Sequence, residues 1–177
     1  MRPLARSFYA RDASQVARDL LGKIIQHGDT SGRIIETEAY LGTGDDAAHS
    51  AAGITPRTGV IFGAPGHAYV YLSYGIHTCL NLVAEPEGTA GCVLIRALEP
   101  IAGIEKMQRR RGGRDLAGGP GKLTQALGIT LAHNGLDVTR GPIVVLDDGY
   151  SGFEIEVSRR IGISKSQDLP LRFCVTF

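Results

Sequence analysis

Cysteine is scarce and scattered in this chain. Cys79, Cys92 and Cys174 lie far apart with no C-x-x-C pair, which argues against a disulfide framework or a thiolate metal site and for a reducing compartment. No apolar run approaches the roughly 18–20 residues that span a bilayer, and the N-terminus has no apolar signal core. The reading is therefore a soluble cytoplasmic protein that does not engage a membrane. Excess charge is missing too: 19 basic against 18 acidic side chains leave +1. A general field for polyanions is excluded, and any phosphate-binding surface must be a local patch. There is no repeat, low-complexity tract or linker. With 177 residues, 43% of them hydrophobic, the chain reads as one domain over residues 1–177 with a sizeable core.

What is present is a set of short β-prone segments with few helices. Asp12 is placed to cap a helix over 13–21, with Val16, Leu20 and Leu21 inward and Gly22 as its stop. Lys23–Gln26 and Arg33–Tyr40 read as a hairpin around a polar turn. Residues 41–67 lack periodicity, and a loop of that length inside a compact domain is usually functional. Ala68–Ser73 and Ile76–Val83 form a second hairpin with Tyr74-Gly75 as a two-residue turn. Ala90–Ala97 is a further strand, followed by a helix from Pro100 to Arg111 with proline in its first turn. A Gly-Pro loop runs into a short helix over 118–129. Pro142–Asp147, Phe153–Ser158 and Leu171–Phe177 supply closing strands. The absence of β-α-β alternation predicts an α+β fold on a curved, mostly antiparallel sheet with peripheral helices.

The segment RIIETEAY, residues 33–40, carries the clearest chemistry. Alternation with period 2 puts Ile34, Glu36, Glu38 and Tyr40 on one face. Burying that face places at least one carboxylate in an apolar pocket, where desolvation and a like-charged neighbour raise its pKa toward that of a general base or acid. A solvated edge strand with two glutamates is the bland alternative. Arg96 sits in the apolar strand CVLIRALEP, where a charge needs a partner; Glu36 or Glu38 is the obvious one. Tyr74 is a large aromatic at a hairpin tip, where small polar residues are usual. It either folds back on the sheet or acts as a wedge that enters a nucleic-acid stack, with Tyr71 stacking on the displaced base. Asn81 either reads a base edge or bonds to backbone.

Other candidates are weaker. His49 with Asp45 and Asp46 fits no common ligand spacing, so no metal is expected. His67 and His77 flank the hairpin and either contact phosphate or play a purely structural part. Lys122 follows Gly-Pro-Gly at a helix start but lacks the phosphate-loop spacing, so one phosphodiester contact is the most it offers. Lys106, Arg109, Arg110, Arg111 and Arg114 crowd together as a solvated helix face or a basic patch.

Taken in order, RIIETEAYLGTGDDAAHS, TPRTGVIFGAPGHAYVYLSYGIHTCLN, CVLIRALEP and GGPGKL resemble the alkyladenine (3-methyladenine) DNA glycosylase family, the mammalian-type methylpurine glycosylase fold in a bacterial member. The resemblance covers the chain from about residue 5 to the C-terminus. It implies that Glu38 activates a water for attack at C1′ of the deoxyribose and that Arg96 helps to hold that water. It implies a base pocket of Tyr40, His49 and Tyr71, with Asn81 crowding the amino group of normal guanine. Tyr74 would intercalate from the protruding hairpin, and His77, Lys122 and Arg57 would touch the DNA backbone. The implied partner is double-stranded DNA containing damaged purines, bound near the nucleoid by a monomer with no cofactor and no metal.

The chemistry is consistent with that resemblance. A base inside a duplex must be extruded before it is cut, most easily when damaged or mispaired. Sugar hydrolases use two carboxylates, one to protonate the leaving group. A purine alkylated at N3 or N7 is already cationic and leaves with one general base, and aromatic walls attract it by cation–π contact. Deaminated purines such as hypoxanthine are harder substrates. No amine is placed as a nucleophile, so no lyase step is expected. Three departures from the family pattern occur: Thr58 where an asparagine is common, Leu171 where a tryptophan is common, and no tail beyond Phe177. Two other classes compete. A catalytically inactive lesion-specific DNA-binding protein would use the basic stretch 106–114 equally well, and a small-molecule hydrolase would use the Glu36/Glu38 pair.

Overall fold

The computed structural model describes residues 1–176. A short strand, β1 (Arg2–Pro3), and one helical turn, α1 (Arg6–Tyr9), precede the helix α2 (Ala13–Leu20). Asp12 caps α2 by accepting from the backbone N–H groups of Ser14 and Gln15, which satisfies donors that a helix start leaves orphaned. Val16, Ala17 and Leu20 are buried on its inner face. α1 was not foreseen, because four residues carry no periodicity.

Strands β2 (Ile24–His27) and β3 (Thr30–Leu41) form the first hairpin. His27 pairs with Thr30, so the turn is only Gly28-Asp29, with φ +59° at Gly28; a positive φ at the first turn position suits glycine. Strands β4 (Ala68–Ser73) and β5 (His77–Val83) form the second hairpin. Ser73 pairs with His77, so the tip holds three residues, Tyr74, Gly75 and Ile76, rather than two. Tyr74 (φ +51°) and Gly75 (φ +71°) both adopt the left-handed conformation. For a tyrosine this is uncommon, and it projects the ring outward.

The long strand β6 (Gly91–Ala102) is followed by α3 (Ile104–Arg111) and α4 (Pro120–Leu127), and β7 (Ile143–Asp147), β8 (Glu154–Ser158) and β9 (Arg172–Thr176) complete the sheet. The strand expected over Leu171–Phe177 thus holds, except that Phe177 lies outside the described residues. Pro100 was expected in the first turn of a helix. Instead it pairs with Gly32 at the end of β6, beside a register shift, where a missing N–H is tolerated. The chain turns at Gly103, whose φ is +72° and whose added Cβ would meet the Asp29 carbonyl at 2.6 Å. Only then does α3 begin.

All strand pairings are antiparallel, in the order β1-β7-β2-β3-β6-β5-β4, with β9 bridging β3 and β8. This is the α+β sheet with peripheral helices that the sequence implied. β3 is its central member: its first half pairs with β2, its second with β9, and β6 runs along its other edge.

The β3–β6 ladder contains two irregularities side by side. Ile35 has no partner on β6, and Arg96 has none on β3. The first corrects the expected alternation. An extra residue shifts the side chains beyond it to the opposite face. Ile34 therefore joins Ala39 in the main hydrophobic core, on the side where the Thr37 hydroxyl donates to the Ala17 carbonyl of α2 at 2.8 Å. Glu36, Glu38 and Tyr40 share the other side without Ile34. The basic stretch 106–114 is largely tied down. Lys106 pairs with Asp29 at 2.7 Å, Arg110 donates to the Ala126 carbonyl at 2.7 Å, and Arg111 to Gln125 at 2.6 Å, so α3 is docked on α4.

Candidate active site

A cleft of about 1070 Å³ opens between the β4–β5 hairpin, the loop 46–58 and residues 161–165, with the ends of β3 and β6 as its floor. Tyr40, His49, Arg57, Tyr71, Tyr74, Asn81 and Arg96 all line it. Residues distributed over 57 positions of sequence are thus brought to one concavity by the pairing of β3, β4, β5 and β6.

Glu38 lies beneath the floor, fully buried. One carboxylate oxygen accepts the Ile161 backbone N–H at 2.8 Å. The other accepts the Tyr40 hydroxyl at 2.9 Å and faces Arg96 Nη1 at 3.4 Å. A buried carboxylate is tolerated when its oxygens are bonded in this way. Arg96 projects from the β6 irregularity and donates through Nε to Glu36 at 2.8 Å. Glu36 accepts from Arg172 Nε at 2.7 Å on the same oxygen. The two glutamates therefore do not share one environment. Burial alone would raise the pKa of Glu36, but bonds from Arg172 and Arg96 outweigh it and hold the carboxyl below its usual range. The expectation of a raised carboxyl pKa fails for Glu36, since the like-charged neighbour is outnumbered by arginines. Glu36 acts as an anchor for Arg96.

The wall is aromatic. The Tyr69 and Tyr71 rings are stacked with centroids 5.4 Å apart, and His49 meets Tyr71 edge-on at 4.6 Å. His49 Nδ1 lies 3.0 Å from the Tyr69 hydroxyl, and burial, then the Arg57 charge, lower its pKa. Both effects favour the neutral ring. Asn81 is buried and its Nδ2 donates to the Tyr69 carbonyl at 3.2 Å, so the amide is held by backbone at the cleft wall. Arg57 lies over the Tyr71 ring, 5.1 Å from its centroid. It belongs to the cleft rim, not to a remote patch. Tyr74 is 86% exposed and Ile76 72%, so the hairpin tip offers two bare apolar side chains beside the cleft.

Several participants escaped the sequence reading. Tyr69 was legible in principle, since A-Y-V-Y puts it one period from Tyr71. Arg160 was not. Its guanidinium is wholly buried and forms a two-pronged pair with Asp45, both bonds 2.7 Å. It also donates to the carbonyls of Ala39 and Ser166 and lies 4.7 Å from the Tyr40 ring centroid. Asp45, entertained only as a metal ligand, is thus part of an ion pair. Among the described residues no group of three His, Cys, Asp or Glu side chains is arranged to hold a metal. Lys165 lines the cleft, an amine that the sequence reading did not place there. Arg172, the second anchor of Glu36, was also missed.

The remaining candidates stand apart. Lys122 is paired with Asp115 at 2.5 Å, and exposed His77 sits against Gly121 at the start of α4. His67 is turned inward, its Nδ1 2.9 Å from the Ala64 carbonyl. Thr58 is buried and donates to the Gly53 carbonyl at 2.8 Å, so this departure from the family pattern braces the loop. Leu171 is buried in the main core.

The sheet thus sets a buried carboxylate, an arginine and an aromatic cleft beside a projecting hairpin. The model of the Methylpurine-DNA glycosylase (MPG) family matches residues 7–176. Relatives named "Putative 3-methyladenine DNA glycosylase" are similar over almost the whole chain. One from Koribacter versatilis is 48% identical, covering 99% of this chain and 90% of its own. One from Methanoculleus marisnigri is 51% identical, covering 96% and 93%. One from Bradyrhizobium diazoefficiens is 51% identical, covering 98% and 88%. The chain belongs to the methylpurine-DNA glycosylase family.

Proposed function

We propose that this protein releases alkylated purines (3-methyladenine and 7-methylpurines) and, more slowly, deaminated purines from duplex DNA, as a DNA glycosylase. The carrying observation is the buried Glu38 carboxylate, hydrogen-bonded by Tyr40 and Ile161 and ion-paired with Arg96 directly under an aromatic cleft. Tyr74 enters the helix from the hairpin and fills the gap, and the extruded purine takes the cleft against Tyr40, Tyr71 and His49. The contact between Arg96 and Glu38, at 3.4 Å, is the loosest on that carboxylate. A water taken up there accepts a bond from the guanidinium and gives one to Glu38. Its oxygen attacks C1′ as the glycosidic bond breaks, the bonding pair leaves with the purine, and the water's proton passes to Glu38. A purine alkylated at N3 or N7 becomes neutral as it accepts that pair, so no second carboxylic acid is needed. Asn81, held at the wall, crowds the amino group of guanine.

The test is single-turnover base release from a methylated duplex and from a duplex with one hypoxanthine, wild type beside Glu38→Gln, scored by alkaline cleavage at abasic sites. Release by wild type and a loss of at least about 1000-fold in Glu38→Gln, with lesion binding kept, is expected. Near-normal turnover by Glu38→Gln would remove Glu38 from the mechanism.

A further inference from the structure

The Arg160–Asp45 pair sits where a charge has an effect on the substrate. Arg160 is wholly buried and lies over the Tyr40 ring, and Tyr40 lines the cleft, whereas Arg160 does not. The ring therefore separates a guanidinium from the space a purine would occupy. A bare cation there would repel a cationic purine through a thin, low-dielectric layer and would draw on the π-density that attracts it. Asp45 removes that problem, because its two oxygens both bond Arg160 at 2.7 Å. The other partners of Arg160 are the uncharged carbonyls of Ala39 and Ser166, and its Nε has no hydrogen-bond partner. Among the described residues Asp45 is thus its only anionic contact.

We propose that Asp45 determines specificity: by neutralising Arg160 it leaves the cleft face of Tyr40 receptive to positively charged, alkylated purines in preference to neutral ones. This rests on the function proposed above. Arg160 is the positioning partner. It clamps loop 41–48 to residues 160–166, an attachment reinforced by the Asp46 N–H on the Ser166 hydroxyl at 3.0 Å, and the adjacent residue Ile161 delivers its N–H to Glu38.

The decisive quantity is a ratio of affinities, measured in the Glu38→Gln background so that nothing is released. Duplexes with one 7-methylguanine or one hypoxanthine are compared, with undamaged duplex as reference. Asp45→Asn is expected to weaken 7-methylguanine binding about tenfold while changing hypoxanthine binding less than threefold. Arg160→Met, which leaves the carboxylate alone behind the ring, moves the ratio the opposite way. The neutral double variant Asp45→Asn/Arg160→Met returns it to the starting value. A purely structural role would lower both affinities by one factor in every folded variant, and that result would overturn the proposal. So would an unchanged ratio. If Asp45→Asn does not fold, the sign of the shift in Arg160→Met decides alone. Failure of the Glu38→Gln protein to prefer either lesion over undamaged duplex would instead count against the proposed function.

Discussion

Glu38 and Glu36 lie two positions apart on one strand face, and their surroundings give them different work. Glu36 holds two arginines, and Glu38 receives the tyrosine hydroxyl and a backbone amide. On the proposed mechanism, Glu36→Gln should therefore slow base release without altering capture of an abasic-site duplex, because Arg96 loses its anchor beside Glu38. A fall of about 10- to 100-fold in the single-turnover rate is expected, and an equal fall in binding would contradict it. At this scale the sequence was informative for residues whose types are odd for their places: Glu38 and Tyr40 in an apolar strand, Arg96 in another, Tyr74 at a tip. Arg160 carries no such mark. Its partner Asp45 is 115 residues away, and an arginine in S-R-R reads as surface until that long-range contact is known.

At the scale of elements, the capped helix, both hairpins and the Gly-Pro helix start were legible because each rests on local chemistry. The two ladder irregularities were not, since a bulge is a relation between strands, and neither β3 nor β6 announces it alone. Pro100 misled for a similar reason: its fixed φ suits both a helix start and a strand end. Two predictions belong here. Asp12→Ala removes the α2 cap and should destabilise the protein by about 1 kcal/mol in urea unfolding. Tyr74→Ala should weaken binding to an abasic-site duplex about tenfold or more, because stacking by an inserted ring contributes on the order of 1–3 kcal/mol. Equal affinity for that duplex would show that the tip is not a wedge. Since Tyr74 is exposed, the same substitution should leave the unfolding midpoint unchanged.

For the whole molecule, charge balance sets how binding responds to salt. With a net charge of +1 and many basic side chains paired with acids, Arg57 and Lys165 stand at the cleft to meet phosphates. The slope of log affinity against log salt concentration should be no steeper than about −4, a value read by titration between low and moderate salt. Acid acts differently. The carboxyls of Asp45 and Glu36 would rise on burial, yet bonds from Arg160 and from Arg172 and Arg96 respectively hold both below their usual range. A lowered native pKa contributes stability that is complete above the unfolded value and lost as pH falls toward the native one. Unfolding midpoints should therefore decline below about pH 5, and the decline should be shallower in the Asp45→Asn/Arg160→Met variant.

The order in which the chain is made has a consequence for this site. Glu38 is translated early, but the Ile161 amide, Arg160 and Arg172 come from the far side of β8. A nascent polypeptide that has emerged only as far as Ser158 carries Glu38, the cleft tyrosines and the hairpin tip, yet has nothing to close the floor beneath them. Ribosome-stalled chains of that length should leave abasic sites in no duplex, and activity should switch on abruptly once β9 has docked on β3.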